Sequence, residues 1–163
     1  MKIKPQTAVI ASILFVVAGI LGSIALGWWQ TESTKVPQRL EAVTATGEEA
    51  AYDPADIRGS YTLNEISSLF EIPLEELAAA FVIEQDKASE FKVKDLETIY
   101  TDPASEVGTS SMRLFVAWYK GLPYELKEDS FLPAPAAEIL RDKDNLTPEQ
   151  EEYLNTHTLS VQE

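Results

Sequence analysis

The sequence predicts a mainly α-helical protein: one N-terminal transmembrane helix followed by a small all-α extracytoplasmic domain of short helices. Three observations carry this. Residues 8–27 form an apolar run in which Ser12 and Ser23 are the polar members. From Asp56 onward, apolar residues recur at helical spacing and are punctuated by prolines. No stretch alternates apolar and polar residues in the manner of a half-buried strand.

The apolar run has the length a membrane demands. A helix rises about 1.5 Å per residue, so crossing a hydrocarbon core of roughly 30 Å takes about 20 apolar residues. Lys2 and Lys4 precede the run, whereas Glu32 with Lys35 and Arg39 with Glu41 nearly cancel after it. Positive flanks stay in the cytoplasm, which places the N-terminus inside and residues 30–163 outside. Trp28 and Trp29 fit the outer headgroup region as interface anchors. The rival is a cleaved signal peptide, for which Ser23-Ile24-Ala25 offers a small-x-small site. The run exceeds the roughly 7–15 residues of a signal core, which favours an uncleaved anchor. Ser12, Gly19, Ser23 and Gly27 fall on one helix face. Small residues let another helix approach closely, so this face is expected to pack on an integral membrane partner.

Composition narrows the chemistry. The formal net charge is −14, and all 27 acids lie at or beyond Glu32. Such a surface repels phosphate backbones, so no nucleic-acid partner is expected. The chain has no cysteine and one histidine, His157. Disulfides, thiolate metal sites, iron–sulfur clusters and covalent haem are therefore excluded within this chain, and no metal or cofactor is expected. A Ser-His-Asp triad would have to use His157, near an exposed end.

The chain divides into an anchor over 1–29, a flexible linker over 30–55 and a helical domain over 56–160. The linker is rich in threonine, glutamate and alanine and has no apolar period. The first domain helix covers Leu63–Phe70, with Thr62 as cap and Glu65 completing a capping box. Ile72-Pro73 ends it, and Pro73 opens a second helix through Leu74, Leu77 and Phe81. Residues 93–100 read as a short helix that buries Leu96, Ile99 and Tyr100. Residues 110–120 form the most apolar domain helix, with Met112, Leu114, Phe115, Val116, Trp118 and Tyr119. A helix apolar on most sides lies in the middle of a domain or faces a partner. Gly121 caps it and Pro123 prevents continuation. Residues 131–135 are extended, 136–141 form a short helix, and Thr147-Pro148-Glu149-Gln150 is a second capping box starting a helix that ends near Thr156.

Several motifs have competing readings. Residues 62–81 have the outline of a helix-turn-helix, which the charge opposes. The same stretch loosely resembles a LysM module, the glycan-binding unit of cell walls, through Thr62-Leu63-Asn64-Glu65-Ile66 and residues 70–77. It lacks the opening glycine-aspartate turn, and Val82-Ile83 is the available closing strand. Asp142-Lys143-Asp144-Asn145 hints at a calcium loop, but Leu146, Thr147 and Tyr153 occupy places where an EF-hand needs oxygen ligands or glycine. Glu75-Glu76 and Glu149 with Glu151-Glu152 fit helix N-termini, where acids are stabilised by the dipole. Arg58 and Arg113 are isolated cations among small or apolar neighbours. They are expected in structural ion pairs, with anion binding as the alternative.

Four segments taken together resemble a bacterial membrane-anchored segment that occurs alone or beside polyferredoxin-type membrane proteins. These are residues 26–37 around Gly27-Trp28-Trp29-Gln30, residues 56–62 around Arg58-Gly59-Ser60-Tyr61, residues 113–124 around Trp118-Tyr119-Lys120-Gly121, and residues 132–140 around Pro133-Ala134-Pro135. The resemblance implies a place beside an electron-transfer membrane complex. The cluster-binding cysteines of those proteins are absent, so no redox residue carries over.

The function expected from the sequence is a non-catalytic, membrane-anchored accessory or docking subunit of such a complex. Met112, Phe115, Trp118, Tyr119 and Tyr124 would then supply the docking surface, since aromatics anchor interfaces. The alternative is a membrane-anchored, wall-glycan-binding module. An enzymatic reading ranks third, because no carboxylate pair stands out at a catalytic spacing.

Overall fold

The computed structural model describes residues 16, 17, 19, 22, 36–40, 51–101, 106–126 and 130–160. The chain separates into two compact units, Met1–Lys35 and Val36–Glu163. In the first, Val16, Val17, Gly19 and Gly22 are helical, and a Cβ added at Gly19 or Gly22 would meet nothing within 4 Å. Ser12, Ser23, Gly27, Trp28 and Trp29 lie outside the described residues. Among the described residues, no helix is long and apolar enough to cross a membrane.

The second unit is mainly helical, as the apolar spacing predicts. Its helices are α1 (Leu63–Phe70), α2 (Leu74–Ala80), α3 (Gln85–Ala88), α4 (Leu96–Ile99), α5 (Thr109–Tyr119), α6 (Ala134–Asp142) and α7 (Pro148–Thr156), with 3-10 turns at Pro54–Asp56 and Val93–Asp95. Both capping boxes form. Thr62 N donates to Glu65 Oε2 at 2.8 Å while Glu65 N donates to Thr62 Oγ1 at 3.1 Å. Thr147 and Gln150 exchange the same pair of bonds at 2.8 and 3.3 Å. Each box satisfies two amides that a helix start would otherwise leave open.

Tertiary pairing adds what spacing could not show. Two two-residue strands, β1 (Leu132–Pro133) and β2 (Thr158–Leu159), pair in parallel and bracket the α6–α7 pair. The sequence shows no strand there because neither piece is long enough to alternate. Thr62 bridges Lys92 in antiparallel fashion, flanked by Leu63 N to Phe91 O at 3.0 Å and Val93 N to Tyr61 O at 2.9 Å. Val82-Ile83, the piece that could have closed a LysM-type module, is instead the turn that ends α2. Ile99, expected in the core, is 48% exposed. The folded unit also reaches back into the stretch read as linker. Leu40 N donates to Ala51 O at 2.8 Å, Asp53 N to Gln38 O at 2.7 Å, and Gln38 N to Asp56 Oδ2 at 2.8 Å.

Helix α5 runs through the middle. It packs against α6 and both 3-10 turns, while α2 packs on α1, α3 and α6. The core gathers Ile57, Leu63, Ile66, Leu77, Phe81, Leu114, Phe115, Leu132 and Leu140, all fully buried. Burying each such side chain contributes about 1.5–3 kcal/mol of transfer free energy.

The α2 exit carries a strained residue. Ile83 N donates to Ala78 O at 2.8 Å and Val82 N to Ala79 O at 3.3 Å, the paired bonds of a Schellman close. That close needs a left-handed residue, and Val82 supplies it at φ 54°. A β-branched side chain in that region costs about 1–2 kcal/mol, where glycine pays none. Val82 is also 48% exposed, so little packing is lost by trimming it. Val82→Gly is therefore expected to raise stability by about 1 kcal/mol, read as a higher urea midpoint at constant m-value. An unchanged or lower midpoint would count against backbone strain at this position.

Candidate functional site

The docking surface expected on α5 is corrected by the fold. Met112 and Phe115 are fully buried and Trp118 is 2% exposed. Phe115 stands edge-to-face with Phe81 at 5.6 Å and tilted on Tyr119 at 5.7 Å, and Trp118 meets Tyr153 edge-on at 5.7 Å. A helix apolar on most sides finds its partners within its own domain here, so these three anchors serve the core. Tyr119 and Tyr124 are half-buried.

The hydroxyl of Tyr119 joins three helices. It donates to Glu76 Oε2 at 2.7 Å and accepts from Lys143 Nζ at 2.8 Å, and that ammonium also lies 3.9 Å from the ring centroid. Burial raises the Tyr119 pKa foremost, with the Lys143 hydrogen bond opposing and Glu76 adding to it. The bond to Tyr119 in turn raises the pKa of Lys143. The group clasps α2 to α5 and to the end of α6.

Burial likewise raises the pKa values of Tyr61, Tyr100 and Tyr124. Tyr100 is pushed up to about 12, and its hydroxyl donates to Phe81 O at 3.0 Å. A tyrosine with a folded pKa above its unfolded value keeps its proton on folding. Its stabilisation is complete below about pH 10 and is lost as pH climbs towards 12. The melting temperature is expected to fall steadily above pH 10, with a shallower fall in Tyr100→Phe. Identical slopes for the two chains would contradict this linkage.

The two arginines do not form the carboxylate pairs expected of them. Arg58 is exposed and has no ion pair among the described residues. Arg113 orders the domain through a carbonyl instead: its Nε donates to Ile57 O at 2.7 Å, tying α5 to the turn that follows Pro54–Asp56. The planar guanidinium is thereby held in place, and its two terminal nitrogens have no hydrogen-bond partner among the described residues.

Those nitrogens belong to a residue that lines an open cleft of about 580 Å³. Arg113 enters from α5, and Pro123, Tyr124 and Glu125 from the segment after it. Leu40, Asp53 and Ala55 close the other side. Asp53 is held by its own N-cap bond, with Oδ1 accepting from Ala55 N at 2.8 Å. The Tyr124 hydroxyl is withdrawn from solvent and has no hydrogen-bond partner. Its pKa is raised first by burial, while Arg113 lowers it and Asp53 raises it, so both charges are felt at that oxygen. Sequence reading singled out Arg113 and Tyr124 separately. It missed Leu40, Asp53 and Ala55, which lie in the stretch taken as linker. The available signal was Asp53-Pro54, a capping acid before a proline that starts a helical turn.

The remaining candidates resolve into structure. His157 stacks on Tyr153 at 3.9 Å, and its Nδ1 lies 2.8 Å from Thr156 Oγ1 and 3.2 Å from Tyr153 O. Asp144 sits at φ 52° in the turn after α6. Among the described residues, no group of three or more His, Asp or Glu side chains is placed to hold a metal ion.

Fold and site together define a small helical domain with an open cleft beside Arg113 and Tyr124. No protein family, curated protein or solved structure matches the chain.

Proposed function

We propose that the protein is a membrane-anchored accessory or docking subunit of a larger membrane complex of the electron-transfer kind, without catalytic chemistry of its own. The observation that carries this is the succession of a 20-residue apolar run over 8–27 and a separately folded unit over 36–163. The apolar run anchors the chain with its N-terminus in the cytoplasm, and the acidic domain faces the far side of the membrane. The electron-transfer setting rests on the resemblance of residues 26–37, 56–62, 113–124 and 132–140 to segments found beside polyferredoxin-type proteins. The face of Ser12, Gly19, Ser23 and Gly27 packs on the partner within the bilayer. The burial of Met112, Phe115 and Trp118 removes α5 from the docking surface, so contacts outside the membrane fall to other exposed surfaces of the domain.

The test is a pull-down of the tagged full chain in mild detergent, followed by mass spectrometry and an absorption spectrum of the eluate. Co-eluting membrane subunits with iron–sulfur or haem absorbance support the proposal. A lone, colourless chain rejects it. Replacing Gly19 and Ser23 together by leucine is expected to abolish co-elution while leaving the domain's urea midpoint unchanged. Undiminished co-elution would exclude that helix face.

A second reading, wall-glycan binding, has one observation in its favour. The α1–α2 hairpin is closed by the antiparallel Thr62–Lys92 bridge, the kind of closure a LysM module uses. It predicts that the domain pellets with purified peptidoglycan in the absence of any membrane partner.

A further inference from the structure

The cleft beside Arg113 unites a cation with two carboxylates. We propose that it binds a small zwitterion, a ligand with one carboxylate and one ammonium group, as in a free amino acid or a short peptide. This site stands apart from the accessory role and holds whether or not that role does.

Arg113 is built to receive the carboxylate. Its Nε is spent on Ile57 O at 2.7 Å, which fixes the guanidinium plane and leaves the terminal nitrogens to fork onto two oxygens. Tyr124 contributes to the wall only: its hydroxyl is shut away from water, so a ligand oxygen of the same size does not reach it.

The rest of the lining selects among anions. Asp53 and Glu125 are both in the wall. A dianion such as phosphate would meet two like charges there. A simple amine would meet the guanidinium. A zwitterion satisfies both signs, with its carboxylate on Arg113 and its ammonium towards Asp53 and Glu125. Leu40 and Pro123 add apolar surface for an aliphatic side chain. The volume, about 580 Å³, lies within the usual range of small-ligand pockets.

The experiment is a thermal-shift and calorimetric titration of the full chain in detergent. The probes are the twenty L-amino acids and the dipeptide Leu-Ala, each at about 10 mM, with acetate and methylammonium as half-ligands. A ligand that binds the folded state raises the melting temperature by mass action. At least one zwitterion is expected to raise it, and neither half-ligand. Tighter binding of the free amino acids identifies that source, and tighter binding of Leu-Ala identifies peptides. Arg113→Gln is expected to weaken binding about ten-fold or more. Because Arg113 also holds Ile57 O, Glu125→Gln provides the cleaner variant. It removes an exposed charge from the wall, so the ligand-free chain keeps its stability while affinity for the zwitterion falls about three-fold. The proposal is overturned if no zwitterion shifts the melting temperature, if acetate does so as well as any amino acid, or if Glu125→Gln binds with wild-type affinity.

Discussion

Phe115→Ala is expected to lower the stability of the 36–163 unit by about 3–5 kcal/mol. Phe115 is fully buried at the middle of α5, between the rings of Phe81 and Tyr119. Truncation loses its transfer free energy and leaves a cavity that α5 cannot close. The helix is held from several sides, by α6 and by both 3-10 turns. The edge-to-face pairing with Phe81 is lost as well, a further ~0.5–1.5 kcal/mol. A domain of this size has about 5–15 kcal/mol in all, so the variant is left barely folded or unfolded. Phe115→Leu keeps most of the volume and is expected to cost less than half as much. Urea denaturation followed by tryptophan fluorescence measures both. The outcome also separates core from docking surface. A docking aromatic would lose partner binding with the midpoint intact, and a loss under about 1 kcal/mol would displace α5 from the centre of the fold.

Deletion of residues 1–35 is expected to move the protein quantitatively from the membrane fraction to the supernatant, with the domain's melting temperature unchanged. In the proposed reading the membrane link is the apolar run over 8–27, because an acidic domain has little attraction for anionic lipid. The domain's own stability rests on a core contained within 36–163. Fractionation after carbonate washing, with calorimetry of the truncated chain, reads both halves. Release of the full-length chain by carbonate would exclude a spanning anchor. A mature chain beginning just after Ala25 would show a cleaved signal peptide instead. A truncated chain that remains with the membrane would move the anchor into the domain.

Much of the helical plan was legible because its signals are local. A threonine followed three residues later by glutamate or glutamine is a complete instruction for a helix start. Thr62–Glu65 and Thr147–Gln150 were read that way and form those bonds. Pro73 and Gly121 marked boundaries for equally local reasons. Helix α3 escaped notice because four residues, Gln85–Ala88, make no apolar period. Ile99 was assigned to the core by spacing, yet a helix as short as α4 has too few turns to bury a whole stripe.

The composition and order of residues by themselves determined the helical class, the lack of thiol chemistry, the acidic surface and the positions of the principal helix starts. Each depends on residue type or on neighbours three or four positions apart. Tertiary structure decided where those helices face and what they enclose. It turned Met112, Phe115 and Trp118 inward, because an all-round apolar helix gains most where neighbours surround it. It gave Arg113 a carbonyl in place of a carboxylate, because Ile57 O was the acceptor that packing brought within 2.7 Å. It assembled the cleft from Leu40, Asp53, Arg113 and Tyr124, which no local spacing links. Only the closing of one chain on itself brings such groups to a shared wall.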